Sequence, residues 1–493
     1  MLDGSSSNLV HRGQSAALVL LSLFFLPLDT FILTASYVYS YLFHQRPVDF
    51  HKSARGIPDF EAKTILVTGV GMTKGLALAR LFYEAGHNVI GADFEPNGAL
   101  VCGRVSKSIT KFYPLQKPTP RGGSAPYIQG LLDIILKDRV DLWVSCSGVA
   151  SAVEDGEAKE IVEARTKCRA IQFDVKTTQM LHEKHTFIEH TESIGLTIPE
   201  THTITSRAQL EEVLHHAPPD RKYIMKPIGV DDANRADMTL LPRPEQSETS
   251  KHVARLRISE DLPWICQQFI RGSEFCTHAL VVKGKVKAFV ACPSAELLMH
   301  YEALPAKSAL SKAMLRFTQH YAAKGGDSFT GHLSFDFLVE DEAMTDPEKI
   351  VLYPIECNPR AHTAVALFEG TTSMVDAYLS LLQSSRVSNG ASTIVTPLRN
   401  DKYYWIGHDF MVYFLLPLYK LLTLNSSIAD FMKDLQFFIT HFLFWKDGTF
   451  EIWDPLPWWW LYHIYWPMRF LTCIRTGQKW SRINVSTTKM FEC

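Results

Sequence analysis

The stretch that most restricts the possible folds is KTILVTGVGMTKGLALARLFYEAGHNVIGADFE, residues 63–95. It predicts a strand (TILVTG), a glycine turn, a helix and a second strand (NVIGADF). The helix has an apolar face that suits packing on a sheet, made by Leu76, Leu78, Ala79, Leu81 and Phe82. VDLWVSCSG, at 140–148, predicts a further strand. Residues 60 to about 150 are therefore predicted to form a Rossmann-like α/β layer.

The glycine turn by itself allows a nicotinamide cofactor. Gly69, Gly71 and Gly75 form G-x-G-x-x-x-G, one residue longer than the usual dinucleotide pattern. Asp93 lies near the end of the second strand, where such a site carries an acidic residue. An NAD(P)-dependent oxidoreductase is therefore one candidate function, although no set of residues for hydride transfer accompanies the turn.

The chain is too long for one ordinary core, since 493 residues predict two or more domains. Its net charge of -2 argues against a nucleic-acid partner, because such proteins usually carry a basic excess. The nine cysteines include no C-x-x-C pair, which favours reduced thiols over a disulfide framework or a zinc site.

Both ends of the chain are apolar. Residues 15–43 are long enough to cross a bilayer as a helix, although Pro27 and Asp29 interrupt them. A kinked span, a re-entrant hairpin and a buried pair of core helices remain alternatives. More basic residues follow this stretch than precede it, which would place the central region in the cytosol. The tail, including FMVYFLLPLYKLLTL and WDPLPWWWLYHIYWPMRFL, suits a membrane interface or a hairpin, or else a hydrophobic subdomain.

Strands dominate the prediction for the second half of the chain. Five segments are expected to form an antiparallel sheet, with a tight turn at the K-G pair. They are KYIMKPIGV, WICQQFI, HALVVKGKVKAFVAC, HLSFDFLVE and KIVLYPIEC. Two helical segments, SAVEDGEAKEIVEARTK and KTTQMLHEKHTFIEHTESIG, come before them.

The last two of these strands carry the strongest functional signal. A hairpin centred near residue 346 would set Asp336 opposite Glu356, and Asn358 would share their face. Two facing carboxylates repel unless a cation lies between them. Their oxygens and the amide oxygen suit Mg²⁺ held partly by nucleotide phosphates. Arg360 could then meet a phosphoryl oxygen. The alternative is an edge hairpin with solvated acids. The segment IVLYPI is too apolar for an exposed edge, which argues against this alternative.

Two further residues fit a nucleotide site. Lys226 ends an apolar strand, where it either reaches a phosphate or extends to the surface. Glu274 follows the strand WICQQFI and could accept hydrogen bonds from ribose hydroxyls, or be a plain surface acid.

The order of five motifs resembles the ATP-grasp superfamily. They are Lys184 in HEKHTF, Lys226 in MKP, QQFIRGSE, Asp336 in FDF, and IECNPR. IECNPR is similar to the carbamoyl-phosphate synthetase-like members, and the resemblance covers residues 60–385. It implies that Lys184 and Lys226 contact ATP phosphates and that Gln267 meets the adenine amino group. The backbone at Gln268 and Ile270 would read the adenine edge, and Glu274 would hold the ribose. It further implies Asp336, Glu356 and Asn358 as ligands of Mg²⁺ or Mn²⁺, and Arg360 as the residue that stabilises the transferred phosphoryl group.

The resemblance also implies the domain order. A membrane segment and linker would occupy residues 1–59, a Rossmann-like pre-ATP-grasp domain 60–175, an ATP-grasp domain 176–390 and a membrane-associated region 391–493. The leading domain of such enzymes binds no nicotinamide. One departure is the loop after Lys226, IGVDDANRADMTLLP, where Gly229 is the only glycine and Arg235 could replace the usual phosphate contacts.

The implied activity is ATP-dependent ligation. A carboxylate or enol-type oxygen of a small molecule would be phosphorylated and then attacked by an amine or amino acid. The apolar leading segment, NRADMTLLP and the WDPLP tail resemble mycosporine-glycine synthetase-type and fungal secondary-metabolite enzymes. The alternatives are the oxidoreductase and a non-catalytic membrane protein with a degenerate ATP-grasp fold.

Overall fold

A computed structural model describes residues 4–43, 47–119, 122–146, 148, 151–219, 221–228, 237–294, 299–340, 350–383 and 393–493. The helices are α1 (Asn8–Leu42), α2 (Pro47–Arg55), α3 (Thr73–Glu84), α4 (Ala125–Asp138), α5 (Ala152–Arg165), α6 (Val175–His182), α7 (Lys184–Ser193), α8 (Arg207–His215), α9 (Gln246–Arg255), α10 (Ala309–Lys324), α11 (Ser373–Leu379), α12 (Ile406–Asp409), α13 (Leu416–Leu422), α14 (Ile428–Phe444), α15 (Leu456–Trp460) and α16 (Trp466–Thr476).

The strands are β1 (Thr64–Thr68), β2 (Asn88–Phe94), β3 (Lys111–Leu115), β4 (Leu142–Val144), β5 (Arg169–Ile171), β6 (Thr201–Ile204), β7 (Tyr223–Pro227), β8 (Trp264–Gln268), β9 (Gly272–Val282), β10 (Lys285–Pro293), β11 (Tyr301–Glu302), β12 (Gly331–Glu340), β13 (Tyr353–Asn358), β14 (Lys402–Tyr404), β15 (Lys446–Asp447), β16 (Trp480–Asn484) and β17 (Lys489–Glu492).

The first half contains a parallel sheet with the strand order β3-β2-β1-β4-β5. Strand β1 lies at its centre and pairs with β2 and β4, and its middle residues are fully buried. Helix α3 packs its predicted apolar face on this sheet, since Leu78, Ala79 and Phe82 are inaccessible to solvent. The strands and the helix predicted for this region are confirmed.

The strands predicted for the second half are divided between two antiparallel sheets, so the expectation of one sheet is wrong. The smaller sheet has the order β6-β8-β7, and the larger has the order β10-β9-β12-β13. Lys283 and Gly284 form the predicted tight turn between β9 and β10, and both have positive φ. The division gives the molecule two β surfaces that can face one another.

Strand β13 is an edge strand, contrary to the expectation that so apolar a segment would avoid the edge. It pairs with β12 on one side, and helices α6 and α7 contact it. Phe187 of α7 stacks on Phe335 of β12 at 5.8 Å between ring centroids. The helices therefore cover the apolar side chains that an open edge would expose.

The segment predicted as one helix is divided into α6 and α7 by Glu183, which has extended backbone angles. The Thr186 hydroxyl lies within hydrogen-bond distance of two carbonyl oxygens at the break, those of Met180 (2.8 Å) and Glu183 (3.0 Å). As a result Lys184 is the first residue of a new helix.

Helix α1 is continuous through Pro27, which excludes a re-entrant hairpin. Its most apolar 18-residue window is not buried, which excludes a buried core helix. By length and composition it is the one described helix that could cross a membrane. It contacts α16, and Trp480 donates a hydrogen bond to the Ser15 hydroxyl at 3.1 Å. The two ends of the chain therefore pack together.

In the tail, α13 and α14 pack as a helical hairpin. Phe414, in the helical turn that precedes α13, lies 6.3 Å from Phe431 of α14 between ring centroids. The segment FMVYFLLPLYKLLTL does not itself fold back, since residues 410–422 are helical, and its place at a membrane interface stays a prediction. The strand pair β16–β17 ends the chain, and the turn between its strands reaches α3, where the Thr73 amide donates to the Ser486 carbonyl at 2.9 Å.

Candidate nucleotide and metal site

The paired strands β12 and β13 bring the predicted metal ligands together. Asp336 lies directly opposite Glu356, so the predicted register is confirmed. The Asn358 amide nitrogen donates to Asp336 Oδ2 at 3.1 Å, which places the third predicted ligand beside the first. The amide oxygen of Asn358 instead accepts from the Arg360 guanidinium at 2.7 Å. Metal ligation by Asn358 therefore requires its amide group to rotate.

Two cations offset the two carboxylates. Lys184 Nζ lies 2.7 Å from Glu356 Oε2 because the break at Glu183 points the start of α7 at β13. Burial alone would raise the pKa of Glu356, but the charges of Lys184 and Arg360 together lower it. Burial lowers the pKa of Arg360, and Glu356 and Asp336 oppose that effect.

Asp336 is the exception in this arrangement. Its Oδ1 is buried and has no hydrogen-bond partner among the described residues. Burial, followed by the charges of Glu356 and Glu274, raises the pKa of Asp336 to about 7. A buried carboxylate oxygen without a partner is costly unless something binds it. Together with Glu356, it offers the hard oxygen donors that Mg²⁺ prefers, so the residues present fit the predicted cation.

Lys226 faces this group from the smaller sheet. Its Nζ donates to the Gln267 side-chain oxygen at 2.7 Å, from the neighbouring strand β8. Burial and the charge of Lys184 lower the pKa of Lys226 to about 8, while Glu356 and Glu274 oppose the shift. The charges of Lys184, Glu356 and Glu274 therefore act on Lys226.

The residues predicted to hold the nucleoside lie along β8 and the start of β9. Gln267 is buried, and its amide nitrogen donates to the Thr201 hydroxyl at 3.2 Å. The Gln268 amide N–H donates to the Glu200 carbonyl at 2.8 Å, so it is engaged within the chain. Ile270 is buried, whereas Glu274 is exposed on β9 and accepts from the Ser294 hydroxyl at 2.9 Å. The adenine contact through the backbone of Gln268 and Ile270 stays a prediction.

One group near the site was not predicted, the Lys74 ammonium from the glycine turn. Its Nζ donates to the Ala361 carbonyl at 3.0 Å, one residue after Arg360. Lys74 is buried, and this burial together with the nearby Arg360 charge lowers its pKa to about 7. Its place in the TKG sequence at a helix start was the signal that could have drawn attention to it.

Unpartnered polar atoms continue from Asp336 toward Lys74. Ser334 Oγ and His278 Nε2 are buried without a partner among the described residues. The pairing of β12 with β9 places these two residues side by side, on the face that also carries Asp336. Burial, helped by His332 and His362, lowers the pKa of His278 well below its ordinary value. This face therefore offers neutral polar groups beside a buried lysine and an arginine.

The glycine turn does not have the features of a dinucleotide site. The Asp93 carboxylate accepts hydrogen bonds from the amides of Gly71 at 2.6 Å and Phe94 at 2.7 Å. A Cβ on Gly71 would lie 2.8 Å from the Val101 side chain. The acid expected to bind a ribose instead holds the turn, which counts against the oxidoreductase alternative.

Gly229 and Arg235, in the loop after Lys226, lie outside the described residues. The predictions about this loop stay predictions.

The chain matches no protein-family model and no curated protein sequence. Among solved structures it is similar to an L-amino acid ligase from Bacillus licheniformis, with a TM-score of 0.45, 14% identity, and coverage of 70% of this chain and 80% of that chain. It is also similar to the N5-carboxyaminoimidazole ribonucleotide synthetase from Thermus thermophilus, with a TM-score of 0.45, 14% identity, and coverage of 69% and 81%. A biotin carboxylase complex from Campylobacter jejuni has a TM-score of 0.46 and 13% identity, with coverage of 66% and 72%. Similarities at this level establish no activity.

Proposed function

We propose that the chain is an ATP-dependent ligase of the ATP-grasp type that joins a small carboxylic or enol acid to an amine or amino acid. The observation that carries the proposal is the pairing of Asp336 with Glu356, beside the charges of Lys184, Lys226 and Arg360. Two carboxylates, three cations and a buried, unpartnered carboxylate oxygen suit a nucleoside triphosphate with its divalent cation.

In this proposal Asp336 and Glu356 hold the cation, and Asn358 joins them after its amide rotates. Bound there, Mg²⁺ neutralises charge on the phosphates and on the phosphoryl group in transfer. When the nucleotide binds, Lys184 leaves Glu356 and contacts phosphate oxygens. Lys226 likewise leaves Gln267 and contacts phosphate oxygens. The planar Arg360 guanidinium contacts the transferred phosphoryl group.

The chemistry then proceeds in two balanced steps. An acceptor oxygen attacks the γ-phosphorus, ADP leaves, and an acyl or enol phosphate forms. The amine then attacks the carbon that carries this phosphate and forms a C–N bond. The C–O bond to the phosphate breaks, and inorganic phosphate leaves. The chain contributes positioning and charge stabilisation, which account for most of the rate in phosphoryl transfer.

The acceptor is placed beyond Arg360, near Lys74, His278 and Ser334. Lys74 is a buried cation, and His278 Nε2 and Ser334 Oγ have no partner among the described residues, a combination that suits a small anion. A secondary-metabolite role, with a small oxygen-rich acceptor, is the narrower part of the proposal. Incubating the full chain with ATP and a metabolite mixture, and analysing the products by mass spectrometry, tests it directly.

The main test is ADP release that requires Mg²⁺, an acid and an amine together. Asp336→Ala and Glu356→Ala are expected to abolish it, whereas Glu340→Gln, an exposed acid at the end of the same strand, should not. Retained activity in the first two variants would remove the metal assignment. ATP binding without turnover in the unmodified chain would favour the non-catalytic alternative, and NAD(P)H binding without ATP binding the oxidoreductase.

We also propose that the enzyme lies on a membrane with its ligase site in the cytosol. Helix α1 and the outer face of α14 support this, since Phe437, Phe442 and Phe444 are exposed there. The full chain should float with liposomes, and Phe442→Asp with Phe444→Asp should weaken flotation more than Lys312→Asp on α10. A protease-protected ligase site in sealed cytosol-side-out vesicles would contradict the orientation.

A further inference from the structure

A second polar cluster lies outside the nucleotide site. Among the described residues, one group of three His, Cys, Asp or Glu side chains brings its ligand atoms within 4.8 Å of one another. It consists of His300, Asp409 and His441. Asp409 is fully buried, and the side chains of the two histidines are 13% and 10% exposed. The cluster is therefore nearly enclosed.

Three separate segments build this cluster. His300 directly precedes β11, Asp409 ends α12, and His441 lies in the last turn of α14. His300 Nε2 is 2.8 Å from Asp409 Oδ1, and His441 Nδ1 is 2.6 Å from Oδ2. Each carboxylate oxygen thus faces one imidazole nitrogen, and the imidazole rings lie 4.7 Å apart between centroids.

Aromatic side chains surround the histidines. The Trp445 ring lies 4.5 Å from the His441 ring and 5.7 Å from the His300 ring. The Tyr413 ring lies 5.8 Å and 5.9 Å from the same two rings. An apolar shell of this kind excludes water and strengthens metal coordination inside it.

We propose that His300, Asp409 and His441 bind one Zn²⁺ ion. Imidazole nitrogen is a donor that zinc accepts and Mg²⁺ does not favour, and two histidines with one carboxylate form a known type of zinc ligand set. Ligand atoms about 2.0–2.1 Å from zinc lie roughly 3.3 Å apart at tetrahedral angles. The two nitrogen–oxygen pairs, now 2.8 Å and 2.6 Å apart, therefore need to separate by under ~1 Å. The three donors leave a fourth position for water or for another ligand.

A bound ion would join the α13–α14 hairpin to the rest of the molecule. His441 is on the hairpin, whereas His300 precedes β11, which pairs with β14. Zinc would therefore fix the orientation of the exposed apolar face of α14. The inference is independent of the ligase proposal, since it shares no residue with the nucleotide site.

The test is the metal content of the full chain, purified in detergent with a tag that contains no histidine. After zinc addition and dialysis, elemental analysis should find about one zinc per chain. His441→Ala and Asp409→Asn should reduce zinc content to about a tenth or less of that value. The matched control His215→Ala, in the last turn of α8, should keep it. A metal-free unmodified chain, or equal zinc in all four proteins, would overturn the proposal.

Zinc-edge X-ray absorption of the unmodified protein tests the ligands without any variant that might fail to fold. We expect two imidazole nitrogens and one or two oxygens around the ion. A shell of sulfur, or of oxygen alone, would overturn the assignment. Circular dichroism of the same samples shows whether the variants are folded.

Discussion

The β12–β13 site and the His300–Asp409–His441 cluster each have an aspartate at the centre, but the groups around that aspartate differ. Asp409 has an imidazole at each oxygen, whereas Asp336 faces another carboxylate and leaves Oδ1 without a partner among the described residues. The first arrangement offers nitrogen donors, and the second offers hard oxygens with cations nearby. Under the two proposals, the neighbours of each aspartate decide which ion its site prefers.

The largest effect should come from separating the two sites by mutation. Asp336→Asn is expected to lower ADP formation by about 10³-fold, because it removes charge that holds the nucleotide-bound cation, and to leave zinc content unchanged. His441→Ala should lower zinc content and leave ADP formation unchanged. The measurements are coupled-enzyme ADP release and elemental analysis on the same preparations. Loss of both properties in either variant would mean that the two clusters are not independent.

Lys226→Met should weaken ATP binding by about 10–100-fold, since a charged hydrogen bond to phosphate is lost from a half-buried position. Isothermal titration with ATP and Mg²⁺ checks this. Lys312→Met, an exposed lysine on α10, serves as the control and should bind as the unmodified chain does. Equal affinity in both variants would place the phosphates away from β7.

Lys74→Met should raise KM for the acid substrate by about tenfold and leave KM for ATP unchanged, because Lys74 lies beyond Arg360. Lys176→Met, exposed on α6, is the control. A change in KM for ATP alone would show that the glycine turn serves the nucleotide.

The smallest effect concerns pH. The pKa of Asp336 is about 7, so Mg²⁺ affinity should fall as the pH drops below 7, and Asp336→Asn should lose this dependence. The folded-state pKa exceeds the ordinary value of 3.8. Between these values the folded state binds more protons than the unfolded state, so stability without metal should fall as pH rises. Urea unfolding at several pH values, with and without Mg²⁺, measures both trends.

Local sequence patterns were enough to predict the strands and the pairing of Asp336 with Glu356. The alternation in HLSFDFLVE and KIVLYPIEC, with a polar turn between them, placed Asp336 opposite Glu356. The same strands did not show that they end at a sheet edge, because the covering helices α6 and α7 come from elsewhere in the chain.

What the sequence could not predict depends on distant contacts. Lys74 meets Ala361 across 287 positions, and no local spacing signals this. His300, Asp409 and His441 lie 109 and 32 positions apart and follow no metal-binding motif. The oxidoreductase alternative arose because Asp93 looks the same in sequence whether it binds a ribose or holds its own turn.

The hydrogen bond from Thr73 to Ser486 has a consequence for folding. The helix that carries Lys74 is held by a turn that lies more than 400 positions later in the chain. This part of the site is therefore complete only after the strand pair β16–β17 has docked on α3. Disrupting that strand pair should impair acceptor use while nucleotide binding persists.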